Sequence, residues 1–367
     1  MKRISTTFAV MAVIVLLFTA CGPAATAVAP TVVPVKIGEV TDLGGVNDKS
    51  FNALAWKGVS DAIAQLGVDG VFLQSTQQSD YAKNIQQMLT SKEDLIVTVG
   101  FLLGVDTATA AKANPTQKFA IVDYTYPDCY PGAVEGKDCG SSTDLTNVRG
   151  LAFQTDQASF LAGYLAAGMT KTGKVASFGG LQIPTVTIFM DGFEAGVKYY
   201  NQKHNTSVVA LGWDSKAQTG VFVGNFTSTD DGKNTATSLA QEGADIIMPV
   251  AGAVGLGSAA YCQTAGTCLI IGVDTDWFVS SNEYASVELS SVQKKIDVAV
   301  FKTVQDVVNG KFTGGTVTYA LADGGVDLAP FHNFDSQVPQ TLKDELTQVR
   351  ADIISGTVTV ANVLAAP

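Results

Sequence analysis

The chain has 367 residues, of which 46% are hydrophobic and 16% charged, and a formal net charge of −11. That length exceeds one ordinary core and favours two lobes. An acidic chain without a basic run is a poor candidate for nucleic acid, where affinity rests on neutralised phosphates, and for wide contact with anionic lipid surfaces.

The N-terminus reads as a targeting segment. Lys2 and Arg3 form a charged start, and 8–18 is an apolar run of eleven. That is short of the roughly 20 residues a membrane-spanning helix needs. The run closes as LLFTAC, which resembles the bacterial lipoprotein signal with Cys21 as the lipid-bearing residue. A plain secretory signal with an incidental cysteine is the alternative, and both imply export. Residues 1–21 are therefore read as the signal peptide. Residues 22–34, GPAATAVAPTVVP, have no helical or strand period and read as a flexible tether.

The body then alternates. VKIGEV is a strand, and Phe51, Leu54, Ala55, Val59, Ala62, Ile63 and Leu66 follow at helical spacing. VDGVFL and LIVTVG are strands flanking a helix at 81–89; a helix at 104–113 leads to the strand KFAIVDY. Continuous apolar strands alternating with helices mark a parallel sheet covered on both faces. After a loop holding Cys129 and Cys139, VRGLAFQ leads into a second series. Its helices are expected at 159–169, 186–200, 233–242, 257–264 and 296–309, and its strands at KVASFGG, SVVALGW, ADIIMPV, CLIIGVD and YASVELSS. The pattern predicts an α/β protein of two doubly wound lobes. In such sheets ligands sit outside the carboxyl ends of the strands.

Polar residues gather at those ends. Asp42, Asn47, Asp48, Lys49 and Ser50 follow the first strand, Asp123 ends AIVD, and Asp274 ends IIGVD. A buried strand end should not carry a carboxylate unless it is paired or hydrogen-bonded. Each Asp alone could be a helix cap; as a set they point to a ligand rich in hydroxyls and N–H donors. Phe51 and Phe189, each at a helix start, are either core residues or plates for a flat ring. Lys294 and Lys295 in SVQKK read as solvated unless one neutralises a cleft of carboxylates.

GLGSAA at 255–260 has the form of a dinucleotide fingerprint, with Asp274 downstream, which would make an NAD-dependent enzyme. It lies deep in the second series, and a glycine-rich turn also serves other polar ligands. No hydrolase elbow, P-loop or HExxH is present, and two histidines make histidine-based catalysis an unpromising reading. No cofactor and no metal are expected. The spacings of Cys129 with Cys139 and of Cys262 with Cys268 predict two short-loop disulfides in an oxidising compartment, against free thiols or metal ligation.

Seven segments in order, TDLGGVNDKSFN, LAGYLAAGMTKTGKVASFGG, IFMDGFEAG, GNFTSTDDGKNTA, GADIIMPVAGAVGLG, IGVDTDW and LSSVQKKIDVAV, resemble the basic membrane protein (BMP, PnrA-like) family, the substrate-binding lipoproteins of ABC transporters. The resemblance covers roughly 35–310, with a looser match to the C-terminus. It implies a type I periplasmic-binding-protein fold, two Rossmann-like lobes around a hinged ligand cleft, with 35–154 and 276–310 forming lobe one and 155–275 and 311–363 lobe two. It implies a nucleoside ligand, commonly a purine nucleoside, a permease partner, and a membrane reached through the N-terminal lipid. Carried over residue by residue, it places Asp42, Asn47 and Asp48 at the base, Phe51 and Phe189 as an aromatic clamp, and Asp274 at the ribose. Asp123, Lys294 and the glycine turn at Gly252 complete the set. Trp277 stands where many members carry Gln, and GWDSKAQTGVFVG is longer than usual. A sensory lipoprotein taking a sugar or autoinducer on the same fold is the alternative function.

Overall fold

The computed structural model of the chain describes residues 33–126, 134–137, 139 and 145–366. The expected signal peptide, Cys21, nearly all of the tether and Cys129 lie outside the described residues. Among the described residues no helix is long and apolar enough to cross a membrane.

The first lobe begins β1 (Lys36–Val40), α1 (Phe51–Leu66), β2 (Asp69–Leu73), α2 (Tyr81–Ser91), β3 (Leu95–Val99), α3 (Gly104–Ala113), β4 (Lys118–Val122) and β5 (Val148–Phe153). The second follows with α4 (Thr155–Met169), β6 (Lys174–Gly179), α5 (Pro184–His204), β7 (Val209–Leu211), β8 (Trp213–Asp214), β9 (Thr219–Gly220), α6 (Thr229–Gln241), β10 (Ile246–Val250), α7 (Val254–Ala265), β11 (Leu269–Asp274), α8 (Trp277–Ser280) and β12 (Glu288–Lys294). The chain ends with α9 (Ile296–Val308), β13 (Gly315–Tyr319), β14 (Val326–Leu328), α10 (Gln340–Ile354) and α11 (Val360–Ala365).

Two six-stranded sheets result, ordered β13-β5-β4-β3-β1-β2 and β14-β12-β11-β10-β6-β7. Pairing within them is parallel except between β12 and β14. β3 and β10, buried along their whole length, run through the middle of the two lobes, as apolar runs without alternation require. Among the described residues the chain passes between lobes three times, after β5, after β12 and after β13.

This corrects the expected partition. Residues 276–294 stay in lobe two, because β12 pairs with β11, and 296–319 return to lobe one, where α9 packs on α1 and β13 extends the first sheet beside β5. The switch points are therefore near 154, 295 and 320, not 275 and 310. α6 also begins earlier than expected, at Thr229, because Ser228 caps it by accepting the Asp231 N–H at 3.2 Å and Asp230 and Asp231 favour its positive end.

The glycines of the second and third resemblance segments have a packing reason. α4 and α5 touch backbone to backbone: a Cβ on Gly163 would stand 2.0 Å from Phe193 O, and one on Gly196 2.0 Å from Phe160 O. Gly255 and Gly257 of GLGSAA likewise lie inside α7, and a Cβ on Gly257 would be 1.8 Å from Thr229 O. Gly257 thus brings α7 against α6, while Gly255 packs on Trp277 and Pro249, so both glycines serve helix packing and neither lines the cavity, which takes away the basis of the NAD reading. Cys262 and Cys268 are bonded, with Cα atoms 4.9 Å apart, tying α7 to β11. Cys139 is buried; its expected partner, Cys129, is outside the described residues.

Candidate functional site

The carboxyl ends of β1 and β4 from lobe one and of β10, β11 and β12 from lobe two meet around a cavity of about 640 Å³, space open at its mouth included. Asp42, Asp48, Phe51, Asp123, Phe189, Gly252, Asp274 and Lys294 all line it. Asn47 does not: it is exposed on the outer side of the first loop.

That loop is held by its own carboxylates. Asp42 Oδ1 accepts the Gly44 N–H at 3.0 Å and the Asn52 side-chain amide at 2.7 Å. Loss of water pushes the Asp42 pKa up to about 6, against the pull of these two donors. Gly100 faces Asp42 with φ +111°, and a Cβ there would stand 2.9 Å from Asp42 Oδ2. Only glycine combines that conformation with that clearance. Asp48 is occupied otherwise. Its carboxylate accepts the N–H groups of Ser50, Asn52 and Ala53 at 2.9, 2.8 and 3.0 Å, so it anchors the start of α1. The helix-cap reading holds for Asp48, although it also borders the cavity.

Asp123 and Asp274 close the third strands of the two sheets, β4 and β11, and both adopt left-handed backbone, φ +62° and +67°. Aspartate tolerates this conformation better than most residues. Between them lies Lys294 at the end of β12. Lys294 is 2% exposed; its ammonium pairs with Asp123 across the lobes and stands 3.8 Å from Asp274 Oδ1. Three rings surround the same ammonium, with centroids 4.9 Å away for Phe51, 5.3 Å for Phe153 and 5.5 Å for Phe189. Burial raises the Asp274 pKa to about 6 even though Lys294 and the Ser50 hydroxyl hold it down. Burial also raises that of Asp123, with Lys294 opposing. Lys295, by contrast, turns aside and donates to Gln293 Oε1 at 2.9 Å.

Several lining residues were missed by sequence reasoning. Phe101 follows β3, and Phe226 follows the long segment after β7. That segment runs along the end of β6, with Val223 N–H donating to Gly179 O at 3.1 Å and Gly224 N–H to Gly180 O at 2.8 Å. Asn225 Oδ1 then accepts from Thr227 and Ser228, fixing the turn that carries Phe226. A lone phenylalanine between Asn and Thr has no periodicity to betray it. Trp277 is no part of the cavity wall: it is 2% exposed, lies against Gly255 and Gly272, and donates its indole N–H to Val273 O at 3.0 Å. Neither histidine lines the cavity; His204 pairs with Glu345 at 3.0 Å and His332 with Asp276 at 2.8 Å.

The geometry offers buried acceptors, apolar plates and the internal ammonium of Lys294, a set suited to holding a polar, ring-bearing molecule. Among the described residues, the cavity lining holds no serine, cysteine or histidine.

Comparison with known proteins gives a consistent result. The family model described as ABC transporter substrate-binding protein PnrA-like matches residues 35–362. The ABC transporter nucleoside-binding protein BmpA of Lactococcus lactis subsp. cremoris is 30% identical over 89% of this chain and 88% of its own length. Basic membrane protein A1 of Borrelia garinii subsp. bavariensis is 27% identical over 87% of this chain and 86% of its own. Among solved structures, an ABC transporter solute-binding protein from Aeropyrum pernix superposes with a TM-score of 0.77 at 26% identity, covering 89% of this chain and 93% of that one.

Proposed function

We propose, from the premise that this chain belongs to the PnrA-like family of ABC transporter substrate-binding proteins, that its cleft captures a nucleoside and presents it to the permease. The observation that carries the reading is the joining of buried carboxylates to aromatic rings in one interlobe cavity. Asp42 keeps Oδ2 free of the bonds that occupy Oδ1 and is assigned the N–H donors of a base. Phe51, at the mouth of α1, is assigned a face of the base, with Phe226 or Phe189 of lobe two on the other side. Asp274 is assigned the ribose hydroxyls, since a carboxylate accepts from neighbouring hydroxyls with charge-assisted bonds about twice as strong as neutral ones. Lys294 offsets part of the negative charge of Asp123 and Asp274.

Capture follows from the three crossings. Lobes joined by three strand-end segments open and close about them, and closure brings groups from both lobes onto one ligand. A nucleoside is neutral at pH 7, so its binding should depend little on salt. The name of the Lactococcus relative supports the ligand class. The LLFTAC segment supports attachment through a lipid on Cys21, with the body held at the outer face of the cytoplasmic membrane or in the periplasm. Mass spectrometry of small molecules released from gently purified protein tests the ligand: a nucleoside is expected, and a sugar or dinucleotide in its place would overturn the reading.

A further inference from the structure

Ser50 stands at the N-cap of α1, where a serine side chain ordinarily accepts an N–H of the first turn. It makes no such bond. Asp48 does that work from two residues upstream, accepting from Asn52 and Ala53 at 2.8 and 3.0 Å. The Ser50 hydroxyl is thereby released from the helix. It reaches into the other lobe and donates to Asp274 Oδ2 at 2.9 Å. Ser50 is 3% exposed and does not line the ligand cavity. It lies in an adjoining groove that shares Asp274 and Lys294 with the cavity. Its hydroxyl therefore acts on the carboxylate from behind.

A carboxylate turns readily about its last side-chain bond, where the torsion is broad. Two neighbouring hydroxyls need both oxygens in a defined plane. Fixing that plane beforehand removes part of the ordering cost of binding. The residue that fixes it here is on the opposite lobe.

We infer that Ser50 is a positioning residue that makes diol recognition by Asp274 conditional on lobe closure. The inference rests on the nucleoside reading for its ligand and on the Ser50–Asp274 bond for its geometry. When the lobes part, the Ser50 bond is lost and Asp274 keeps only the Lys294 ammonium of its own lobe, a single point charge that does not fix the carboxylate plane. When they close, Asp274 is locked in the plane that accepts a ribose. A sugar edge lacking the hydroxyls gains nothing from this lock, so Ser50 separates ribonucleosides from deoxy forms without touching either.

The test is calorimetry on wild type, Ser50→Ala and Ser50→Thr with inosine and 2′,3′-dideoxyinosine. Ser50→Ala is expected to weaken inosine about ten-fold, the scale of one hydrogen bond to a charged group. Dideoxyinosine should change by less than about two-fold, and Ser50→Thr, which keeps the hydroxyl, should restore inosine binding. Equal losses for both ligands, no loss for either, or a wild type that does not distinguish them would overturn the inference. If wild type binds neither ligand, the nucleoside reading fails first. The same variants are then compared without ligand by small-angle scattering: with the Lys294–Asp123 and Lys49–Glu283 pairs still bridging the lobes, Ser50→Ala should leave the profile unchanged, and a shift toward the open form, which would weaken both ligands alike, would refute the positioning role of Ser50.

Discussion

Asp274→Asn is the sharpest probe of the buried charge. Asparagine keeps the shape of the side chain and its acceptor for Ser50, and leaves Lys294 paired with Asp123. The wild-type carboxyl titrates at about 6 when folded, against an ordinary aspartate value of 3.8. A group whose folded pKa is raised lends its stability in full below 3.8 and loses it as pH rises through about 6. The gap of roughly two pH units, at about 1.4 kcal/mol each, amounts to about 3 kcal/mol. Asp274 is 7% exposed, so solvent screening removes little of this. Urea unfolding of both proteins without ligand, at steps from pH 4 to 7, measures the difference. Wild type is expected to lose about 2–3 kcal/mol relative to Asp274→Asn across that range. A constant difference, or a wild type that gains on the variant as pH rises, would show that Lys294 outweighs burial and would refute the reasoning.

Other consequences can be checked on the same material. Nucleoside affinity should run the other way, falling as pH drops through about 6, because protonated Asp42 and Asp274 lose their charge-assisted acceptors; isothermal titration giving a flat profile from pH 7.5 to 5 would exclude both from the contact. Lys294→Met should cost about 3–5 kcal/mol in urea unfolding at pH 7.5, since it strands two buried carboxylates, and adding Asp123→Asn should recover much of it. Phe51→Ala should lower nucleoside affinity by about 1–3 kcal/mol. Its ring is only half-buried, so the ligand-free melting temperature should move little, and a large fall with unchanged affinity would assign Phe51 to the core. Cys262→Ser with Cys268→Ser opens a short loop and should cost about 2 kcal/mol in the same assay.

Much of the site was legible because carboxylates at the ends of apolar strands are anomalous on physical grounds. Asp123 and Asp274 announce themselves that way, and Asp42 does so through the polar run behind β1. What failed was discrimination inside that run. Asn47, Asp48 and Ser50 look alike as a string, yet one faces solvent, one caps α1 and one reaches the other lobe. Lys294 and Lys295 are separated by where β12 ends: Lys294 is its last, buried residue, and Lys295 lies past it at the start of α9, a boundary that the string SVQKK does not mark. The lobe partition was hidden for a different reason. Which sheet a strand joins depends on where the preceding chain has already packed, and α9 returning to α1 has no local signature.

A nucleoside held between the lobes is the substance of the proposed function. Isothermal titration calorimetry of the purified protein against purine and pyrimidine ribonucleosides, free bases, pentoses and NAD tests it directly. Saturable heat is expected with ribonucleosides, weaker binding with free bases, and none with pentoses or NAD. Saturable heat from a sugar or NAD alone, with nucleosides silent, would contradict it.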